Sequence, residues 1–321
     1  MAQRSASPAI QADHLTKRYR DQVAVKNLTL TVPRGVVFGM LGPNGAGKST
    51  TLGMLTTLLR PTSGSAHVAG RDVQHDPRAA RAAIGIVFQE EMLDLDLSVR
   101  ANLDLHARLH HIPHAQRRAR VQQALEFAGL TQRERSRTGQ LSGGLRRRLE
   151  VARGLMHTPE VLFLDEPTVG LDIESRRAIW TEVERLRRRG DVTIVLTSHY
   201  LEEADRLCDV VAIIDRGTIR AQGSPEELKR ALGDDVVHAR VVQPAAALNA
   251  ALARVPGVQD VHVQGGEVRL KMSDGERRVP ALIEALQSNT QRVRSFRIEP
   301  PTLEDVFLNA TGHAMSQDDE S

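Results

Sequence analysis

Short apolar runs alternate with longer stretches of mixed polarity over residues 10–225, the order that strands and helices follow in an α/β domain. Three runs, Val36–Leu41, Val161–Leu164 and Val192–Leu196, are apolar almost throughout, which predicts strands covered on both faces. Between about 90 and 141 the pattern turns helical, rich in Leu, Ala, Arg and His and poor in β-branched residues, and reads as an insert. Gly223-Ser224-Pro225 breaks the pattern, and Glu226–Leu232 follows as a short charged helix. Beyond about 236 a second rhythm begins. Strands are expected at Val236–Val242, Val258–Val263, Val268–Met272 and Val293–Ile298, with helices at Ala245–Val255 and near Val279–Leu286 and a hairpin turn at Gly265-Gly266. Strand, helix, two strands, helix, strand is the ferredoxin-like order. The expected organisation is a disordered tail (1–9), an α/β domain (10–225), a small α+β domain (226–312) and a mobile acidic tail (313–321).

Bulk composition narrows the class without deciding it. A chain of 321 residues, 40% hydrophobic and 26% charged, has room for two domains and a sizeable core. A net charge of only +3 gives no general nucleic-acid surface, and no nucleic-acid partner is expected. The arginine runs Arg146–Arg148 and Arg187–Arg189 read as solvated helix faces. The single cysteine, Cys208, excludes an intrachain disulfide and suits a reducing compartment. No apolar run approaches the roughly 18 residues that span a bilayer, and the first residues lack the apolar core of a signal peptide. Any membrane role therefore requires a partner.

The chemistry concentrates where the apolar runs end. After the first comes Gly42-Pro43-Asn44-Gly45-Ala46-Gly47-Lys48-Ser49-Thr50, which fills every fixed position of G-x-x-x-x-G-K-[ST], and Thr51–Leu59 reads as a helix. Strand, glycine loop and helix make a concave nest of backbone N–H groups at a positive helix end, a site for nucleotide phosphate. Lys48 is placed to reach the β- and γ-phosphates and Ser49 to ligate Mg²⁺. The second run ends in Asp165-Glu166: Asp165 suits Mg²⁺ coordination, and Glu166 suits orienting or activating a water. The third ends in Thr197-Ser198-His199. In open parallel sheets ligands sit beyond the carboxyl ends of the strands, so three strand ends point to one site. A second anion-binding helix start follows Leu141, where Ser142 is a good N-cap and Gly143 and Gly144 bare the first-turn N–H groups of a helix expected over Leu145–Met156.

Together these motifs, over roughly residues 10–230, resemble the ATP-binding subunits of ABC transporters. The resemblance implies an ATPase in which Ser142, Gly143 and Gly144 close over ATP held by the other protomer, giving a homodimer with ATP sandwiched at a two-fold interface. It implies that Tyr19 stacks on adenine, that Gln89 touches Mg²⁺ and water, that Asp172 lies in a loop crossing the interface, and that His199 is a switch beside the γ-phosphate. Leu145 stands where the family commonly has Gln, and the run Leu145-Arg-Arg-Arg-Leu149 resembles the variant of drug- and antibiotic-export subunits. Pro301–Leu308 resembles a segment of daunorubicin-resistance-type exporters, whose partner is a separate type-2 ABC permease. There Leu303, Val306 and Phe307 also have the spacing of a packed helix face. The implied place is the cytoplasmic face of the cell membrane. Rival readings are a soluble ABC ATPase on ribosomes or DNA, an importer subunit and a P-loop kinase. One phosphate loop, and only about 90 residues between Lys48 and Ser142, disfavour the first. The Leu141–Gly144 motif and His199 disfavour the last.

Overall fold

The computed structural model describes residues 7–233, 235–242, 248–264, 267–273, 275–288 and 293–313. Two compact units divide between Ser224 and Pro225. The first opens with strands β1 (Ile10–Tyr19), β2 (Gln22–Val32) and β3 (Val37–Leu41), then helix α1 (Lys48–Leu55). Strands β4 (Ser63–Val68) and β5 (Arg71–Asp72), helix α2 (Pro77–Ala82) and strand β6 (Ile84–Val87) follow. Helices α3 (Val99–Leu109), α4 (His114–Ala128) and α5 (Gly143–Leu155) form a layer of their own. The chain then alternates β7 (Val161–Asp165), α6 (Ile173–Arg189), β8 (Thr193–Ser198), α7 (Leu201–Leu207), β9 (Val210–Asp215) and β10 (Thr218–Gly223).

The central sheet has the order β10-β9-β3-β8-β7-β6, parallel except for β10. Every residue of β3, β7 and β8 is buried, as their apolar runs require. An antiparallel sheet, β2-β1-β4-β5, shares a core with it: Leu15, Leu28 and Leu30 cluster with Phe38 and Met40, and with Leu52, Met54 and Leu55 of α1. Burying a side chain of that size stabilises the fold by about 1.5–3 kcal/mol. Register is what matters for function. Leu41 lies opposite Ser198 and Asp165 opposite Thr197, so three neighbouring strands end level with one another.

Differences from the sequence reading have local causes. Ala9, assigned to a disordered tail, is buried and its backbone bonds Val32 and Ala69, extending the β1 ladders by one residue. Residues 90–98, assigned to the helical insert, form a loop; Asn102 holds it from α3 by donating to the Asp94 carbonyl at 2.8 Å. Helix α1 starts three residues earlier than expected, directly from the glycine loop, and ends at Leu55. Arg147 is not on a solvated face; it is 6% exposed. Burial and neighbouring histidine and Arg153 charge push His106 down to about 3 and His110 down to about 4, so both rings are neutral at neutral pH.

The second unit contains α8 (Pro225–Ala231), β11 (Asp235–Val241), α9 (Leu248–Leu252), β12 (Val258–Gln264), β13 (Glu267–Met272), α10 (Gly275–Ser288), β14 (Val293–Glu299) and α11 (Leu303–Thr311). Its sheet, β12-β13-β11-β14, is antiparallel throughout, which is the ferredoxin-like arrangement. Alternate residues Val237, Ala239 and Val241 face Leu248, Leu252, Leu282 and Leu286 in one core. Leu303, Val306 and Phe307 are buried along α11, which Thr302 and Asp305 start with a capping box. The Gly265-Gly266 turn, residues 245–247 of the expected helix and the 314–321 part of the acidic tail lie outside the described residues.

Candidate nucleotide site

The glycine loop joins β3 to α1, and two of its glycines have no alternative. A Cβ on Gly42 would come within 2.2 Å of the Ile214 carbonyl oxygen. Gly47 has φ +104°, and its Cβ would meet the Ala24 carbonyl oxygen at 2.7 Å. Gly217, in the turn after β9, donates its N–H to the Ala46 carbonyl at 2.9 Å and ties the loop to the sheet edge. Lys48 is buried and turns back over the loop, donating from Nζ to the carbonyls of Gly42 (2.6 Å) and Pro43 (3.2 Å). Burial lowers its pKa, while Glu166 Oε1 at 3.4 Å pulls the other way.

The ends of β7 and β8 supply the rest. Thr197 Oγ1 donates to Asp165 Oδ1 at 2.6 Å and accepts from the Glu166 N–H at 2.9 Å, so one hydroxyl fixes both acidic residues. Ser49 donates to the same Asp165 oxygen at 3.4 Å. Burial raises the Asp165 carboxyl against the pull of Thr197. Burial also pushes Glu166 up, but His199 and Lys48 outweigh it and leave the carboxyl below its usual range. Glu166 is therefore ionised at neutral pH, as a proton acceptor must be. It also has φ +45°, a left-handed conformation uncommon outside glycine and often found at functional sites. His199 Nδ1 lies 3.3 Å from Glu166 Oε2, in contact but without a hydrogen bond.

A cavity of 530 Å³ opens onto this group, lined by Pro43–Thr50, Tyr19, Gln22–Ala24, Gln89, Glu166 and Arg216. It brings Tyr19, the loop, Gln89 and Glu166 around one space, with Asp165 and His199 bonded or in contact behind them. The chain does not bring the remaining candidates there. Ser142 is exposed and caps α5, accepting from the Leu145 N–H at 3.4 Å. Asp172 caps α6, accepting from the Ser175 N–H at 2.8 Å. These two helix starts touch, since a Cβ on Gly144 would meet Ser175 Oγ at 2.1 Å.

Three further groups escaped the sequence reading. Arg216 lines the cavity just past the carboxyl end of β9, and the strand-end rule would have found it. Arg147 of α5 donates to the carbonyls of Pro167 (2.9 Å), Asp165 (3.0 Å), Glu166 (3.3 Å) and Phe88, and pairs with fully buried Glu150 at 3.0 Å. Glu150 in turn accepts from the Met92 N–H at 2.7 Å. The helix begun by Ser142 is thus bound to the chain on both sides of Gln89 and to the backbone that carries Glu166. Nothing in the pattern distinguishes Arg147 from its neighbours Arg146 and Arg148.

Glu203 is the third. It is 1% exposed and accepts from Thr168 Oγ1 (3.0 Å), Trp180 Nε1 (3.0 Å) and Ser198 Oγ (2.7 Å), joining three segments beside His199. Burial raises its carboxyl. Glu203→Ala strands these donors and is expected to cost about 3 kcal/mol. Urea unfolding followed through Trp180, the single tryptophan, measures this; an unchanged midpoint would mean the three donors find water instead.

Residues 25–169 match the family model described as ABC transporter, and residues 223–311 match that of the ATP-binding protein DrrA1-3-like, C-terminal domain. The chain is 42% identical over 309 residues to the daunorubicin resistance ATP-binding protein DrrA3 of Streptomyces coeruleorubidus, covering 96% of this chain and 97% of that one. It is 40% identical to the Nod factor export ATP-binding protein I of Ralstonia nicotianae, covering 97% and 96% of the two chains. It is 36% identical to the linearmycin resistance ATP-binding protein LnrL of Bacillus subtilis, covering 95% and 99%. Among solved structures, cbiO1 of Clostridium perfringens, part of the ABC transporter complex cbiONQ, superposes with a TM-score of 0.64 at 30% identity, over 69% of this chain and 90% of that one. The dimeric ATP-binding cassette MJ0796, in a post-hydrolysis state with ADP and Pi, gives 0.61 at 26%, over 67% and 98%.

Proposed function

The chain belongs to the ATP-binding subunits of ABC transporters and is an ATPase of that family, and from this we propose that it energises export through a separate integral-membrane type-2 ABC permease. The cargo class is a drug, antibiotic or lipid-like compound. The observation that carries the export reading is the full-length likeness to resistance and export subunits, including the second unit at 223–311. Among the described residues no helix is long and apolar enough to cross a membrane, so the reading places the chain at the cytoplasmic face, held there by the permease.

In this reading Tyr19 stacks on adenine, and the loop N–H groups with Lys48 hold the β- and γ-phosphates. The oxygens of Ser49 and Asp165 are donors of the kind hard cations take, so Ser49, Asp165 and Gln89 would hold Mg²⁺. When bound, that ion neutralises charge on the β- and γ-phosphates. Glu166 accepts a proton from the attacking water, and His199 faces the γ-phosphate. Ser142, Gly143, Gly144 and Asp172 act on the ATP of the opposite protomer in a homodimer. Loss of the γ-phosphate removes the contacts that bridge the protomers. The Arg147 contacts give a route from that event to Gln89 and the helical layer beyond it.

Affinity purification of this chain from gently solubilised native membranes tests the reading. The expected result is a polytopic membrane protein in stoichiometric amount. Ribosomes or DNA in its place would overturn the export assignment and leave the ATPase chemistry standing.

A further inference from the structure

We propose that His106, His110 and His157 form a binding site for one transition-metal dication of the zinc class, which fastens the end of α3 to the turn after α5. His106 and His110 lie one helical turn apart at the C-terminal end of α3, and His157 follows the last turn of α5. One ring nitrogen from each lies within 4.8 Å of the other two. The rings of His106 and His110 are 4.3 Å apart between centres, and His110 stacks on His157 at 4.0 Å.

Among the described residues, two of the five buried side-chain nitrogens and oxygens without a hydrogen-bond partner belong to this cluster. His157 Nε2 is 2.8 Å from the Ile84 carbonyl oxygen. A carbonyl only accepts, so Nε2 carries the hydrogen and the lone pair is on Nδ1. That Nδ1 is buried with no hydrogen-bond partner, and so is His106 Nε2. A histidine that serves only the core satisfies its buried nitrogens. Two neighbouring rings that each leave one unpaired, one of them oriented by a backbone carbonyl through its far nitrogen, show the outer-shell arrangement of metal-bound imidazole. Arg153 faces the cluster, but its guanidinium donates to the Met92 carbonyl at 2.6 Å and lies 3.8 Å from Glu150. His110 is the most open of the three and offers the ion a way in.

An all-imidazole donor set selects zinc, copper or nickel over Mg²⁺ and Ca²⁺, so the site does not compete for the ion expected at Ser49. A tetrahedral zinc with bonds of about 2.0–2.1 Å needs the three nitrogens drawn in to about 3.4 Å of each other.

The test uses the full chain, stripped with chelator and free of nucleotide, then dialysed against Zn²⁺. One zinc per chain is expected, with the melting temperature raised by about 5 °C at a hundredfold excess over Kd. Co²⁺ in its place is expected to give tetrahedral visible absorption. His106→Gln and His157→Gln should each weaken binding at least about tenfold, and so should His110→Gln, whose more open position spares the fold. His75→Gln, a histidine outside the cluster, should change nothing. No stoichiometric zinc on the wild-type chain, or zinc held with undiminished affinity by all three variants, would overturn the proposal.

Discussion

Glu166→Gln is expected to lower ATP hydrolysis by about 10³-fold while leaving ATP bound. The substitution keeps the shape of the side chain and the bonds that place it, because those bonds are made by backbone. The Glu166 N–H donates to Thr197, and its carbonyl accepts from Arg147. What goes is the negative charge, held 3.4 Å from Lys48 Nζ and 3.3 Å from His199 Nδ1. An amide does not accept the proton of an attacking water, and a thousandfold loss corresponds to about 4 kcal/mol of barrier. The same change has the opposite sign for binding. In the proposed reading a carboxylate facing the γ-phosphate repels it, and without that charge Lys48 is left unopposed, so an ATP-bound dimer is expected to become more persistent. Single-turnover phosphate release and size-exclusion chromatography with Mg²⁺ and ATP measure the two halves separately. A variant that hydrolyses within about tenfold of wild type would remove Glu166 from the role of base.

The part of the site legible in the sequence is the part made by strand ends. A loop that must bend around phosphate requires Gly42 and Gly47 at fixed offsets from Lys48. An acid at the tip of a parallel strand requires an apolar run immediately before it. Such rules act along the chain, and the register of Leu41 with Ser198 and of Asp165 with Thr197 joins the pieces. Arg147, Glu203 and the three histidines follow no rule of that kind. Arg147 is one arginine in a run of three, and only the packing of α5 decides which of them turns inward. Glu203 reads as the acidic first turn of a short helix until Trp180, Thr168 and Ser198 are seen to converge on it. His106 and His110 show helical spacing, but their third member is 47 positions beyond His110, a juxtaposition that only the fold creates. The ferredoxin-like order of the second unit was legible for the opposite reason: alternation along each strand and short connections leave few ways to pair them.

The ATPase rate of the isolated chain is expected to rise with the square of its concentration wherever the monomer predominates. One chain places the phosphate loop, Gln89, Asp165, Glu166 and His199 together, yet its own Ser142–Gly144 segment does not line that cavity. Ser142 is exposed at the start of α5, and a Cβ on Gly143 would meet only Leu171 and Arg146 at about 4 Å, so these two positions are open for something to approach, while Gly144 packs against Ser175. If ATP supplies that surface to a second copy, each competent site needs two chains, and mass action makes dimer scale with the square of monomer. A tenfold dilution then lowers total rate about a hundredfold and activity per chain about tenfold. The measurement is phosphate release over a dilution series at saturating Mg²⁺ and ATP, with sedimentation run in parallel. The comparison with a Ser142→Arg variant is informative, since a bulky cation there leaves the phosphate loop intact but blocks the approach. It should bind ATP like wild type and stay inactive at every concentration. Activity strictly proportional to protein in a sample shown to be monomeric would mean that one chain completes the site alone, and the two-fold sandwich would have to be abandoned.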